Sequence, residues 1–128
     1  PLYSSAASDV YKRQSSNSVN THSQDGPAEM KKLARLRSFS FPYLFDASQE
    51  VAHAYQAACT PDFFLFNKAL KLYYRGRFDA SRPTNDLPIN GSDLRSAYEG
   101  MLKSDPATEK QYPSMGCNIK WHIGNEPK

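Results

Sequence analysis

Apolar positions change period along the chain, and each change marks an expected element. In residues 27–39, PAEMKKLARLRSF, Met30, Leu33, Ala34 and Phe39 share one helical face. Lys31, Lys32, Arg35 and Arg37 fall mostly on the other. Pro27 suits the first turn of that helix, with Asp25 or Gly26 as its cap. A short aromatic strand, FSFPYLFD, follows, and its Pro42 assigns it to a sheet edge. SQEVAHAYQAA predicts a second helix, capped by Asp46 or Ser48, with Val51, Tyr55 and Ala58 as its buried stripe. Residues 62–67, DFFLFN, form a nearly continuous apolar run, as expected of a strand covered on both faces. After a turn at 67–69, LKLYYRGRF alternates. Leu70, Leu72, Tyr74 and Phe78 face one way, and Lys71, Tyr73, Arg75 and Arg77 the other. The two runs predict an antiparallel hairpin. Residues 79–91 are a Pro/Asn/Asp-rich loop. Leu94, Ala97, Tyr98, Met101 and Leu102 then define a final amphipathic helix.

The polar stretch 15–26 reads as a loop, with the end of a strand near Val19. From Asp105 onward, Pro106, Pro113 and Gly116 predict an irregular tail that contains GCNIKW. The expected order is α-β-α-β-β-α, an α/β class with a terminal antiparallel hairpin. Residues 15–104 are expected to form a partial domain and 105–128 the tail. Residues 1–14, PLYSSAASDVYKRQ, carry no strand alternation and only weak helical spacing. They resemble translated adaptor read-through and are set aside as a non-native or disordered segment.

Composition narrows the class. The 128 residues suit one domain at most. The hydrophobic share of 39% points to a modest core with tails or to an incomplete domain. Aromatics at 12% are too frequent for a disordered chain. A net charge of +3 does not imply nucleic acid. No apolar run approaches the ~20 residues of a membrane span, and the start lacks the pattern of a secretory signal. Two cysteines, Cys59 and Cys117, are too few for a disulfide scaffold. They suit a redox pair or two ordinary thiols in a reducing compartment, which favours the cytoplasm.

Several phrases resemble a known group. These are FPYLFD leading into SQEVA, then CTPDFFLF, then YRGRFDASRP, and the tail PSMGCNIKW. They lie between Phe41 and Trp121 and resemble thioredoxin-like proteins related to peroxiredoxins, the alkyl hydroperoxide reductase and thiol-specific antioxidant superfamily, a resemblance that covers about residues 15–121. The resemblance implies an incomplete, N-terminally truncated thioredoxin-like fold consisting of its C-terminal half. It implies a thiol–disulfide or peroxide oxidoreductase in the intact protein, acting on a disulfide protein or a peroxide without a cofactor. It also implies a cis Thr60–Pro61 bond opposite the reactive thiol, with the Thr60 main chain lining a substrate groove. The plainer reading of Pro61 is that it ends the preceding helix.

The family's reactive cysteine opens its first core helix, where the helix end lowers the thiol pKa. Neither a Pro-x-x-x-Thr-x-x-Cys nor a Cys-x-x-Cys motif occurs in this chain, and Cys59 and Cys117 are 58 residues apart. The resemblance therefore implies that the reactive thiol, its helix and a central strand lie upstream, and that this chain is inactive alone. Without that strand, two half-sheets with open edges and marginal stability are expected.

Cys59 is a candidate secondary redox thiol or, equally in keeping with its type, a small buried hydrophobe. Cys117, in a glycine-containing tail, is a candidate resolving thiol or an inert one. A disulfide between them depends on geometry. Asp79, Ser81 and Arg82 suit a turn closed by local hydrogen bonds, and Trp121 suits an anchor for the tail. His22, His53 and His122 have no metal-ligand spacing with either cysteine. YYRGRF partly imitates a basic-aromatic RNA-binding strand, but the element order does not fit that fold, so nucleic acid is not an expected partner. The alternative function is a non-catalytic thioredoxin-like interaction module.

Overall fold

A computed structural model describes residues 11–128, so most of the segment set aside at 1–14 lies outside the described residues. The chain divides into two compact units, residues 11–57 with 119–128, and residues 58–118. Both helices and strands are present, in keeping with an α/β class, but among the described residues every sheet is a two-stranded one.

In the first unit, β1 (Arg13–Ser15) pairs parallel with β2 (Tyr43–Phe45). The expected boundary at residue 15 thus falls inside a strand, and the strand expected near Val19 is absent. β1 is short and polar, so aromatic packing beside it supplies what its own side chains lack. The Phe39 and Phe41 rings stack at 4.6 Å, Tyr11 meets Phe41 edge-on at 4.4 Å, and the Arg13 guanidinium lies over Phe39 and Tyr43. Pro42 stands just before β2, and its carbonyl accepts from the Arg13 amide. Between the strands, α1 (Pro27–Leu36) starts after Gly26 and buries Met30, as its period requires.

The second helix, α2 (Glu50–Ala54), is much shorter than its sequence period predicts. Its expected stripe fails: Val51 and Tyr55 are 41% and 45% exposed, and Ala52 is the buried residue. The reason is the entry. Gln49 is in the left-handed region (φ 64°), which rotates the following turn, and the Asp46 carboxylate accepts from the Ala52 amide at 2.9 Å. The Gln49 side chain is fully buried. Its Nε2 donates to the Ser16 and Lys120 carbonyls, and its Oε1 accepts from the His122 amide and Asn125 Nδ2. All four of its hydrogen-bonding sites are used, as burial demands. The tail 119–125 is held here, with Ile119 buried and the Trp121 ring 4.5 Å from the His53 ring.

The second unit contains the expected hairpin. β4 (Phe63–Phe66) pairs antiparallel with β5 (Leu72–Gly76), with Phe63 opposite Gly76 and Leu65 opposite Tyr74. An irregularity at Leu65/Phe66 shifts the register before the turn. Asn67 closes that turn by accepting from the Ala69 and Lys71 amides at 3.0 Å. Tyr74 on β5 and Ala97 on α3 (Ser92–Leu102) are buried, and Arg77 pairs with Asp93 in the first turn of α3 at 2.5 Å. The apolar face of the hairpin is only partly covered: Leu70 is 83% and Leu72 51% exposed, and β4 is half-buried where both faces were expected to be covered. Two short strands stand outside the expected order. β3 (Cys59–Thr60) pairs antiparallel with β6 (Cys117–Asn118), so the tail is not irregular throughout.

Candidate functional site

The sequence candidates Cys59, Thr60, Pro61 and Cys117 meet at one corner of the second unit. Cys59 lies opposite Asn118 and Thr60 opposite Cys117 in the β3–β6 ladder. The Thr60–Pro61 peptide bond is cis. Side chains alternate along a strand, so Cys59 projects from one face of this ribbon and Cys117 from the other. Burial agrees: Cys59 is buried, Cys117 exposed, and both are free thiols. A disulfide between them would need one strand turned over.

Asp62 ties the corner together. Its carboxylate accepts from the Ala58 amide at 3.2 Å, from Ser114 Oγ at 2.8 Å and from the Arg75 guanidinium at 3.4 Å. Burial pushes the Cys59 thiol above its usual range, and the nearby Asp62 charge pushes it further. Arg75 opposes the shift, while Cys117 adds to it. Cys59 therefore holds its proton at neutral pH, and its Sγ is 3.5 Å from the Pro61 carbonyl, positioned to donate.

Beside Pro61 lies a small cavity of about 110 Å³, walled by Phe63, Phe78 and Met115 and by polar groups of Arg77, Asp79 and Arg82. Asp79 is buried and does more than close a local turn. It accepts from the Ser81 hydroxyl and amide, and from the Asn90 and Gly91 amides at 2.8 and 2.6 Å. The Ser81 hydroxyl and then the Gly91 amide do most to hold its carboxyl well below the usual carboxylate range. Its charge is thus spent on fastening the 79–91 loop to the start of α3. Arg82 donates from Nη1 to the Asp79 and Ser81 carbonyls, at 3.0 Å to the former. Asp79, Ser81 and Arg82 are a loop lock that borders the cavity.

The three histidines are dispersed. His53 Nε2 lies 2.7 Å from the Asn125 carbonyl and His122 Nε2 2.9 Å from that of Ala47, while His22 Nδ1 is 2.9 Å from the Thr21 hydroxyl. Among the described residues no three His, Cys, Asp or Glu side chains converge as a metal site. No helix among them is long and apolar enough to cross a membrane.

Gln111, Ser114 and Gly116 bring the tail to this corner, whereas the sequence alone marks Gly116 as a breaker of regular structure and gives Gln111 and Ser114 no role. The signal was present in PSMGCN, where a glycine adjoins the exposed cysteine. The strand it pairs with, however, lies more than 50 residues earlier.

No protein-family model and no curated protein matches the chain. Solved structures do, among them two that match over most of its length. One is an uncharacterized conserved protein from Geobacillus kaustophilus, 47% identical, with a TM-score of 0.85 over 88% of this chain and 60% of that one. The other is a hypothetical protein from Sinorhizobium meliloti 1021, 42% identical, with a TM-score of 0.86 over 90% of this chain and 63% of that one. The chain therefore spans about three fifths of the length of these relatives and shares their fold over that span.

Proposed function

We propose that the intact protein is a thiol–disulfide or peroxide oxidoreductase of the thioredoxin-like type, and that this chain carries its substrate-groove side. The observation that carries the reading is the convergence at one corner of two free thiols, Cys59 and Cys117, with Thr60 and Pro61, from positions far apart in sequence. The hairpin leaving that corner, backed by α3, supports the same reading. In the intact protein a lowered-pKa cysteine outside this chain is the nucleophile. Its thiolate attacks a substrate sulfur, the substrate S–S bond breaks, and the departing thiolate takes up a proton. A second thiol, as thiolate, then attacks the nucleophile's sulfur in the mixed disulfide, which forms a protein disulfide and releases the second substrate sulfur as a thiol. The protein dithiol is thus oxidised as the substrate disulfide is reduced. Exposed Cys117 is better suited to this attack than Cys59.

A second reading for this chain is a binding module that uses Thr60 and Pro61 without turnover, favoured because Cys59 is buried and lies on the opposite face of the β3–β6 ribbon from Cys117. Assays of disulfide and peroxide reduction separate the two. The intact protein is expected to reduce insulin or a hydroperoxide, and to lose that activity when its upstream cysteine is replaced by serine. This chain alone is expected to be inactive. An intact protein without thiol-dependent reduction would overturn the catalytic reading.

A further inference from the structure

The edge of β3 is already taken. Residues 111–118 run along the second unit as a strap and engage two main-chain edges in succession. At β5, the Gln111 side chain acts like a strand residue: its Oε1 accepts from the Arg75 amide at 2.9 Å and its Nε2 donates to the Tyr73 carbonyl at 3.0 Å. The Tyr112 carbonyl then accepts from the Arg77 amide at 3.0 Å. Ser114 reaches Asp62, and Cys117 and Asn118 complete the ladder with β3.

Gly116 makes the last step possible. A Cβ at this position would overlap the Thr60 carbonyl oxygen and crowd the Thr60 carbonyl carbon and Pro61 nitrogen, all of them backbone atoms that cannot swing aside. The strap therefore enters the corner through a residue without a side chain. Its exposed groups, including Met115 and Cys117, show that it lies on the surface rather than in a core.

We propose that residues 111–118 are an internal ligand of the Thr60 edge, an autoinhibitory strap that must be released before an extended peptide can pair there. This deepens the reading of Thr60 and Pro61 as a groove and rests on it. It adds that the groove is closed in the resting chain and that its occupant must place glycine next to the residue opposite Thr60. Main-chain pairing of this kind is the chemistry of strand addition. A tethered strap competes at an effective concentration on the order of millimolar, so a free peptide making equal contacts is excluded until the strap is weakened.

The test uses the full chain and a fluorescent synthetic peptide spanning residues 110–121 with Cys117→Ser, followed by anisotropy. Two variants release the strap by different means. Gly116→Val forces it off Thr60, and Gln111→Ala removes its hold on β5. Both are expected to bind the peptide at least tenfold more tightly than the unaltered chain, and a peptide also carrying Gly116→Val is expected not to bind. If Gly116→Val does not fold, Gln111→Ala decides. No gain in a folded variant, or equal binding of both peptides, would overturn the proposal. Because the probe has no thiol, the outcome is independent of the reduction assays on the intact protein.

Discussion

The two thiols differ because of what surrounds each sulfur. Cys59 is buried beside the Asp62 carboxylate, and Cys117 faces solvent. Native labelling with a thiol-reactive reagent at pH 8 should modify Cys117 first, with Cys59 at least tenfold slower, as read by mass spectrometry of the digested chain. The raised Cys59 value also sets a sign. The folded thiol keeps its proton where the unfolded one loses it, so this group's stabilisation is complete below the ordinary thiol range and falls as pH rises through its folded value. Asp79 has the opposite sign. Its folded carboxylate stays charged where the unfolded one protonates, so its contribution is present above the ordinary carboxylate range and is lost as pH falls. Asp79→Asn should lower Tm at pH 7, and the gap to the unaltered chain should close in thermal melts taken at successively lower pH.

At the scale of elements, short segments persist because side chains complete the main-chain pairing that their own length does not provide. α2 has five residues, yet it is fixed at its start by Asp46 and Gln49. Gln49 also joins it to the tail through four hydrogen bonds. Gln49→Glu replaces a donor between two carbonyls with an acceptor. The cost is expected to be about 2–3 kcal/mol, the usual range for a buried polar group left without its partner. Urea unfolding should show it as a lower midpoint with an unchanged slope. Gln49→Glu should cost more than Glu50→Gln, whose exposed side chain is one position away.

The whole chain is short of core. Among the described residues few apolar side chains are buried, while Leu36, Leu70, Leu102 and Ile123 are among those well exposed. Hydrophobic burial is the main term opposing chain entropy, so a chain with this surface is marginal. Calorimetry of the isolated chain should show no cooperative transition above about 50 °C, inside the usual range for a mesophilic domain. Light scattering should show concentration-dependent association, because open two-stranded sheets and exposed apolar groups favour it. A sharp transition at higher temperature from a monomer would contradict both expectations.

Much of this was legible along the chain. The helices starting at Pro27 and Ser92, the hairpin through Phe63 and Tyr74, and the loop after Phe78 follow from period, capping and turn residues, which act between near neighbours. Residue type and the resemblance to a family point to Cys59, Thr60, Pro61 and Cys117 as candidates. What the linear pattern left open was decided between distant residues. The apolar spacing of 48–58 predicts a helix of about three turns, but contacts from Asp46 and a left-handed Gln49 keep α2 short. Arg13 and Gln14 show no strand signal of their own and become a strand only because β2 and a set of aromatic rings lie beside them. Proline and glycine in the tail argue against pairing, yet Gly116 is what lets it reach Thr60. Local propensity depends on a residue and its neighbours in sequence. Pairing, burial and the facing of two thiols depend on partners that only the folded chain brings together.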